Sequence, residues 1–556
     1  MVVDIPKEIR KIRKLRYLLG DEISFVATKD CLGSMTFLEK IRVLRVDDEG
    51  VVIRELGKLK QLRNMRISGF RAEHTKTLCS SIHEMQFLEV LHIHGDYGHQ
   101  VIDLPHMSSL STLRKLFLHG MLKKMPNWIS QLQNLVKLSL EHSNLTNDPL
   151  ESLKDLPNLL FLSMFYAYEG QPGTKIIECK RRLGTSSSSA LSSTSLRKIF
   201  SKYLPLRVLD FENVVPLNVP KALLNLIHLK YLCFWNSWIK SLPKSIGNLQ
   251  NLEILDVRRT MVVDIPKEIR KIRKLRYLLG DEISFVATKD CLGSMTFLEK
   301  IRVLRVDDEG VVIRELGKLK QLRNMRISGF RAEHTKTLCS SIHEMQFLEV
   351  LHIHGDYGHQ VIDLPHMSSL STLRKLFLHG MLKKMPNWIS QLQNLVKLSL
   401  EHSNLTNDPL ESLKDLPNLL FLSMFYAYEG ETLYFKDGGF RKLKKLDLNY
   451  LFQLNSIFIE RGALQSLKEL GLNRIPKLRK IPSGIQHLEK LQVLTTKDMP
   501  IEFEKSIAGD GGQDHWMIRH VPRVQIKMSL RNTVAKANDM FRSLLKDALS
   551  QQPARI

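Results

Sequence analysis

The sequence predicts an α/β solenoid whose short parallel strands line a concave face, laid out in two arrays. Three observations predict it. A motif of spaced leucines returns every 21 to 26 residues along most of the chain. Residues 1–170 and 261–430 are identical letter for letter. Turn signals such as Leu242-Pro243-Lys244-Ser245-Ile246 follow the leucine motifs at a fixed offset. Self-similarity at a period of 20–50 residues is the mark of a stacked array and is read before any single element.

The elements follow in order. The motif reads LRVLDF at Leu206, LKYLCF at Leu229, LEILDV at Leu252, LRYLLG at Leu275, IRVLRV at Ile301 and LRNMRI at Leu322. It goes on as LEVLHI at Leu348, LRKLFL at Leu373, LVKLSL at Leu395, LLFLSM at Leu419, LKKLDL at Leu443, LKELGL at Leu467 and LQVLTT at Leu491. The first copy adds units at Leu15, Ile41, Leu62, Leu88, Leu113, Leu135 and Leu159. In such a strand the fourth and sixth positions point inward, while the third, fifth and seventh face solvent. One unit cannot bury its leucines alone, so stability is a sum over neighbours. Leucines at i and i+3 also suit an amphipathic helix, but a helix gives no reason for an LPxxI turn at a fixed offset. The pattern resembles the leucine-rich repeat, which implies a horseshoe with parallel strands on its concave face.

Boundaries follow from where the period starts and fails. Residues 1–170 form a first array and 204–528 a second. Met1 corresponds to Met261, in the middle of a unit, so the first array opens on half a repeat and reads as truncated. The identity itself reads either as a tandem duplication or as two copies joined in a gene model. Residues 171–203 are basic and then Ser-rich, which reads as a linker, with a degenerate unit around Leu196 as the alternative. Residues 529–556 carry apolar side chains near one face, including Val534, Ala537, Phe541, Leu544 and Leu545, and are expected to form a helical tail.

Composition removes several classes. The chain has 556 residues with 43% apolar and 25% charged side chains, ordinary values for a folded protein. No run of 18 apolar residues and no signal peptide is present, which suggests a cytoplasmic protein. The six cysteines, at 31, 79, 179, 233, 291 and 339, show no CxxC spacing, so neither a disulfide framework nor a zinc framework is expected. The net charge of +24 is uneven: each copy carries only +3, and the segments 171–260 and 431–556 carry +9 each. A nucleic-acid surface would need basic clusters interleaved with aromatics, and the clusters at Lys7–Lys14, Lys180–Arg182, Arg441–Lys445 and Arg474–Lys480 lack that pattern.

The closing segments carry a more specific likeness. GGFRKLKKLDL (438–448), GALQSLKELGL (462–472), IPKLRKIPSGIQHLEKLQVL (475–494) and DHWMIRHVPRVQIKM (514–528) stand beside SLPKSIGNLQNLEILDVRRT (241–260). Together they resemble the repeat domain of plant intracellular NLR disease-resistance proteins of the coiled-coil group. The resemblance implies a sensor for a pathogen effector or a guarded host protein, and restraint of a switch domain. The nucleotide-binding module of that family is not carried over, because GxxxxGK[ST] does not occur in the sequence. The alternative is an intracellular repeat scaffold unrelated to immunity.

The expected recognition residues are the fifth and seventh positions of the strands. They are Asp210 and Glu212, Cys233 and Trp235, Asp256 and Arg258, Arg305 and Asp307, and His352 and His354. Phe377 and His379, Ser423 and Phe425, and Asp447 and Asn449 complete the set. Trp235, Phe377 and Phe425 are expected to be exposed, and aromatics are enriched in binding hot spots. The run His352-Ile353-His354-Gly355-Asp356-Tyr357-Gly358-His359 invites a metal reading. No acidic partner completes a catalytic set, and no nucleophile elbow, dinucleotide fingerprint or HExxH is found. The sequence therefore predicts a non-enzymatic binding protein with no metal and no cofactor.

Overall fold

The computed structural model describes residues between 2 and 527, leaving out 26–30, 96–103, 146–152, 166–205, 214–218, 286–290, 356–360 and runs of up to three residues elsewhere. The expected linker at 171–203 and the expected tail at 529–556 lie outside the described residues. Two compact units are present, Met1–Leu298 and Glu299–Ile556. Each is a stretch of α/β solenoid.

In the first unit, strands pair in parallel from Tyr17–Leu18 through Lys40–Arg45, Asn64–Phe70, Val90–Gly95, Lys115–His119 and Lys137–Glu141 to Phe161–Phe165. The ladder continues into Val208–Asp210, Tyr231–Cys233, Ile254–Asp256 and Tyr277–Leu279. Val208 lies opposite Phe161, so the strands flanking residues 166–205 are direct neighbours. In the second unit the ladder runs from Lys300–Arg305 and Asn324–Phe330 through Val350–Gly355, Lys375–His379, Lys397–Glu401 and Phe421–Phe425. Lys445–Asn449, Glu469–Asn473, Val493–Lys497 and Arg523–Lys527 complete it.

The leucine pattern is what makes this stack. In LRKLFL, Leu373, Leu376 and Leu378 are all fully buried, and Lys375, Phe377 and His379 alternate outward between them. Each such leucine contributes about 1.5–3 kcal/mol by burial. Asparagines just before the first leucine tie units together: Asn394 donates to the Ser371 carbonyl at 2.8 Å and Asn418 to that of Gln393 at 2.9 Å. LPKSI and its counterparts IPKEI and MPNWI become short 3-10 turns at Lys244–Asn248, Lys267–Lys271 and Asn387–Gln391, each preceded by a proline that begins the turn without needing an N–H.

One unit departs from its expected register. Ile301 lies opposite Met325, which is a fourth position, and Leu304 lies opposite Ile327, a sixth position. The unit therefore opens at Leu298 and not at Ile301, with a bulge between Ile301 and Leu304. That change evens the neighbouring spacings. The long unit that follows owes its length to a nine-residue helix, Thr335–His343.

Candidate recognition surface

The strand register arranges the outward residues in rows. In the second unit one row holds Arg326, His352, Phe377, Ser399, Ser423 and Asp447, side by side on successive strands. A parallel row holds His354, His379, Glu401, Phe425 and Asn449. In the first unit Asp210, Cys233 and Asp256 form one row, with Glu212, Trp235 and Arg258 just beyond their strands. The expected residues thus gather into two sets, one in each unit.

Two of them stand outside these rows. Arg305 lies opposite Ser328 at the far end of its strand. Asp307 lies past that strand, and its carboxylate accepts the Val311 and Val312 N–H groups at 2.8 and 2.7 Å. It satisfies two orphan donors of the helix Val311–Leu316. The shifted register of this unit explains the difference, since counting from Ile301 places Asp307 at a seventh position.

Apart from His402, which is exposed, the aromatics of the face are half-buried, because each leans on its neighbour across the ladder. His352 stacks on Phe377 at 3.8 Å between ring centroids, and His354 on His379 at 3.9 Å. His379 meets His402 at 4.9 Å, and His402 stacks on Tyr426 at 4.8 Å. Tyr426 stacks in turn on Tyr450 at 4.8 Å, and the Arg474 guanidinium caps Tyr450 at 5.1 Å. Arg474 also pairs with Asp498 at 3.0 Å. Phe425 joins the series, 4.9 Å from Tyr450.

Sequence reasoning missed half of this ridge. His402, Tyr426, Tyr450, Arg474 and Asp498 occupy the eighth position of consecutive units, and all have positive φ, between 49° and 57°. In the first unit the same position holds Asn213, Asn236, Arg259 and Glu282, also at positive φ. Asparagine tolerates this left-handed conformation best, and bulky residues there cost about 1 kcal/mol or more. A signal was present in the sequence, namely bulky or charged residues recurring every 24 positions directly after the strand motif.

Electrostatics follows from the packing. Burial, reinforced by Arg326, lowers the His352 imidazole to about 4. The Glu401 carboxyl is held below its ordinary range by its hydrogen bond to His379, whose Nδ1 lies 3.2 Å from Oε2. In the first unit Asp256 is only 3% exposed and is clasped by Arg258, whose Nε lies 2.8 Å from Oδ1. Burial raises the carboxyls of Asp210 and Glu212 and the thiol of Cys233. The Trp235 ring is covered by the Arg259 guanidinium at 5.0 Å. In the first-unit set Asp256 and Arg258 thus satisfy each other, and the second-unit set is an aromatic ridge. Among the described residues no group of three metal-ligating side chains converges.

Parallel strands stacked at a constant period, with outward rows of ring and charged side chains, define a repeat solenoid. The chain belongs to the leucine-rich repeat family, whose model, described as a leucine-rich repeat region, matches residues 1–188 and 185–506. Among curated proteins it is 29% identical over 228 residues to disease resistance protein RPM1 of Arabidopsis thaliana, covering 41% of this chain and 24% of that protein. It is 26% identical over 258 residues to the probable disease resistance RPP8-like protein 4 of the same plant, covering 45% of this chain and 28% of that one. The chain therefore spans about a quarter of the length of these relatives. Among solved structures, a leucine-rich repeat protein of Leptospira interrogans aligns with 95% of this chain and 99% of its own, at a TM-score of 0.44 and 18% identity. Among the described residues, no helix is long and apolar enough to cross a membrane.

Proposed function

We propose that this chain is a non-enzymatic protein-recognition module of plant innate immunity, acting in the cytoplasm. It senses a pathogen effector or a guarded host protein on its strand face and restrains a switch domain where the full gene product carries one. The observation that carries this reading is the half-buried ridge from His352 to Arg474, aromatic side chains held in place by one another and presented outward. Rigid, partly desolvated aromatics of this kind supply contact area at small entropic cost. The likeness to disease resistance proteins over their repeat portion supports the biological setting.

Photo-crosslinking tests it. A benzoylphenylalanine placed at Phe377, compared with one at Phe458 on the lateral strand Ser456–Ile459, is exposed to infected and uninfected plant extract. The expected outcome is an adduct specific to position 377 with a pathogen protein or a pathogen-targeted host protein. Adducts only at 458, or only with constitutive signalling proteins unconnected to infection, would replace the immune reading with that of a general scaffold.

A further inference from the structure

We propose that a cationic patch on the strand face of the second unit, built by Arg326, Lys375 and Lys397 around the His352–Phe377 stack, binds an acidic segment of a partner protein. The inference rests on the protein-recognition reading above and names the chemistry of the ligand. The same patch recurs in the first unit, where Arg66, Lys115 and Lys137 surround His92 and Phe117.

Pairing across the ladder differs at this patch. Elsewhere on these ladders a cation meets an acid on the adjoining unit: Arg323 with Glu349 at 2.8 Å, Lys445 with Glu469 at 3.0 Å, Lys230 with Glu253 at 2.6 Å. Lys375 instead lies directly opposite Lys397, and Lys115 opposite Lys137. Like charges on facing strand positions oppose folding. The nearby carboxylates are occupied: Glu401 by His379 and Ser399, both at 3.2 Å, and Asp447 by Lys445 at 3.8 Å. Among the described residues, Arg326, Lys375 and Lys397 have no ion-pair partner. The His352 imidazole, depressed first by burial and then by Arg326, with Glu401 opposing and Lys397 adding, lies beside the same cations.

The covered rings select the ligand. A single-stranded nucleic acid needs open ring faces on which bases stack. One face of Phe377 is covered by His352 and the ring is capped by the Lys397 ammonium at 5.2 Å. Phe117 is enclosed in the same way by His92 and Lys137, also at 5.2 Å. The rings therefore serve as a rigid base that holds the cations, and what remains to be satisfied is positive charge. Carboxylates on an extended protein segment match both the charge and the strand-face geometry.

The test uses the full chain and two fluorescein-labelled probes, a 12-residue peptide alternating glutamate with leucine and a dT12 oligonucleotide. The Lys137→Glu, Lys397→Glu double variant is expected to weaken peptide binding at least tenfold. The Arg479→Glu, Lys480→Glu variant changes the net charge equally at exposed positions off the strands, and is expected to shift it less than twofold. Lys137→Gln, Lys397→Gln should fall between them, and circular dichroism checks that each variant is folded. Three results would each overturn the proposal: no peptide binding, equal losses in the two charge-reversal variants, or dT12 binding more tightly than the peptide and failing only in the patch variant. A crosslinked partner at Phe377 whose binding ignores Lys137 and Lys397 would refute the acidic ligand and leave the protein-recognition reading standing.

Discussion

Residues 1–170 and 261–430 have one sequence and two surroundings, so their differences isolate what neighbours contribute. Ile12 is 54% exposed, whereas its counterpart Ile272 is fully buried. Leu15 is half-buried and Tyr17 exposed, whereas Leu275 is fully buried and Tyr277 is half-buried. The reason is the strand Ile254–Asp256, which pairs with Tyr277–Leu279 and covers that edge in the second copy. At the opposite end, Phe161–Phe165 meets the next strand over three positions, Val208–Asp210, whereas Phe421–Phe425 meets Lys445–Asn449 over five. In a solenoid, burial belongs to the interface between units and only secondarily to the residue.

The two copies should differ most at the covered edge. Leu275→Ala should cost about 3 kcal/mol, within the range for a leucine deleted from a close-packed core, and Leu15→Ala about 1 kcal/mol. Urea unfolding monitored by circular dichroism measures both, and equal losses would mean that the copies are equivalent after all.

A second effect is expected in both copies alike. His92 and His352 are each lowered to about 4, first by burial and then by Arg66 or Arg326. A histidine depressed on folding stabilises fully above its unfolded value near 6.5 and loses that contribution as pH falls toward 4. The melting temperature should drop across that window, and the drop should be shallower in a His92→Phe, His352→Phe double variant. A pH profile unchanged by the two substitutions would contradict the packing. Below about pH 4.5, protonation of Glu141 and Glu401, both depressed by the histidine hydrogen bond, adds a further loss.

The smallest predicted effect is internal to one unit and so should not depend on neighbours. Asp47 and Asp307 cap equivalent helices through near-identical hydrogen bonds, 2.8 and 2.8 Å in one copy, 2.8 and 2.7 Å in the other. Replacing either with alanine should cost about 1 kcal/mol, equally in the two copies, and leave peptide binding intact. A larger loss for one copy, measured by the same urea titrations, would show that even the caps sense the adjoining unit.

The sequence by itself determined the period, the inward leucines and which strand positions face outward, because alternation and repetition are local properties of the chain. It placed His352, Phe377, His379 and Phe425 in the rows where the structure puts them, since the register between regular units follows from their leucines. It did not determine the offset at Leu298, because IRVLRV offers two aliphatic frames and only pairing with Asn324–Phe330 selects one. Nor did it determine that Asp256 and Cys233 are buried or that Asp307 is a cap, since these depend on Arg258, on adjoining strands and on a helix farther along. The ridge through His402, Tyr426, Tyr450 and Arg474 was written in the sequence as a recurrence. It became a surface through tertiary structure, as parallel pairing brings residues 24 positions apart into ring contact and holds each at positive φ.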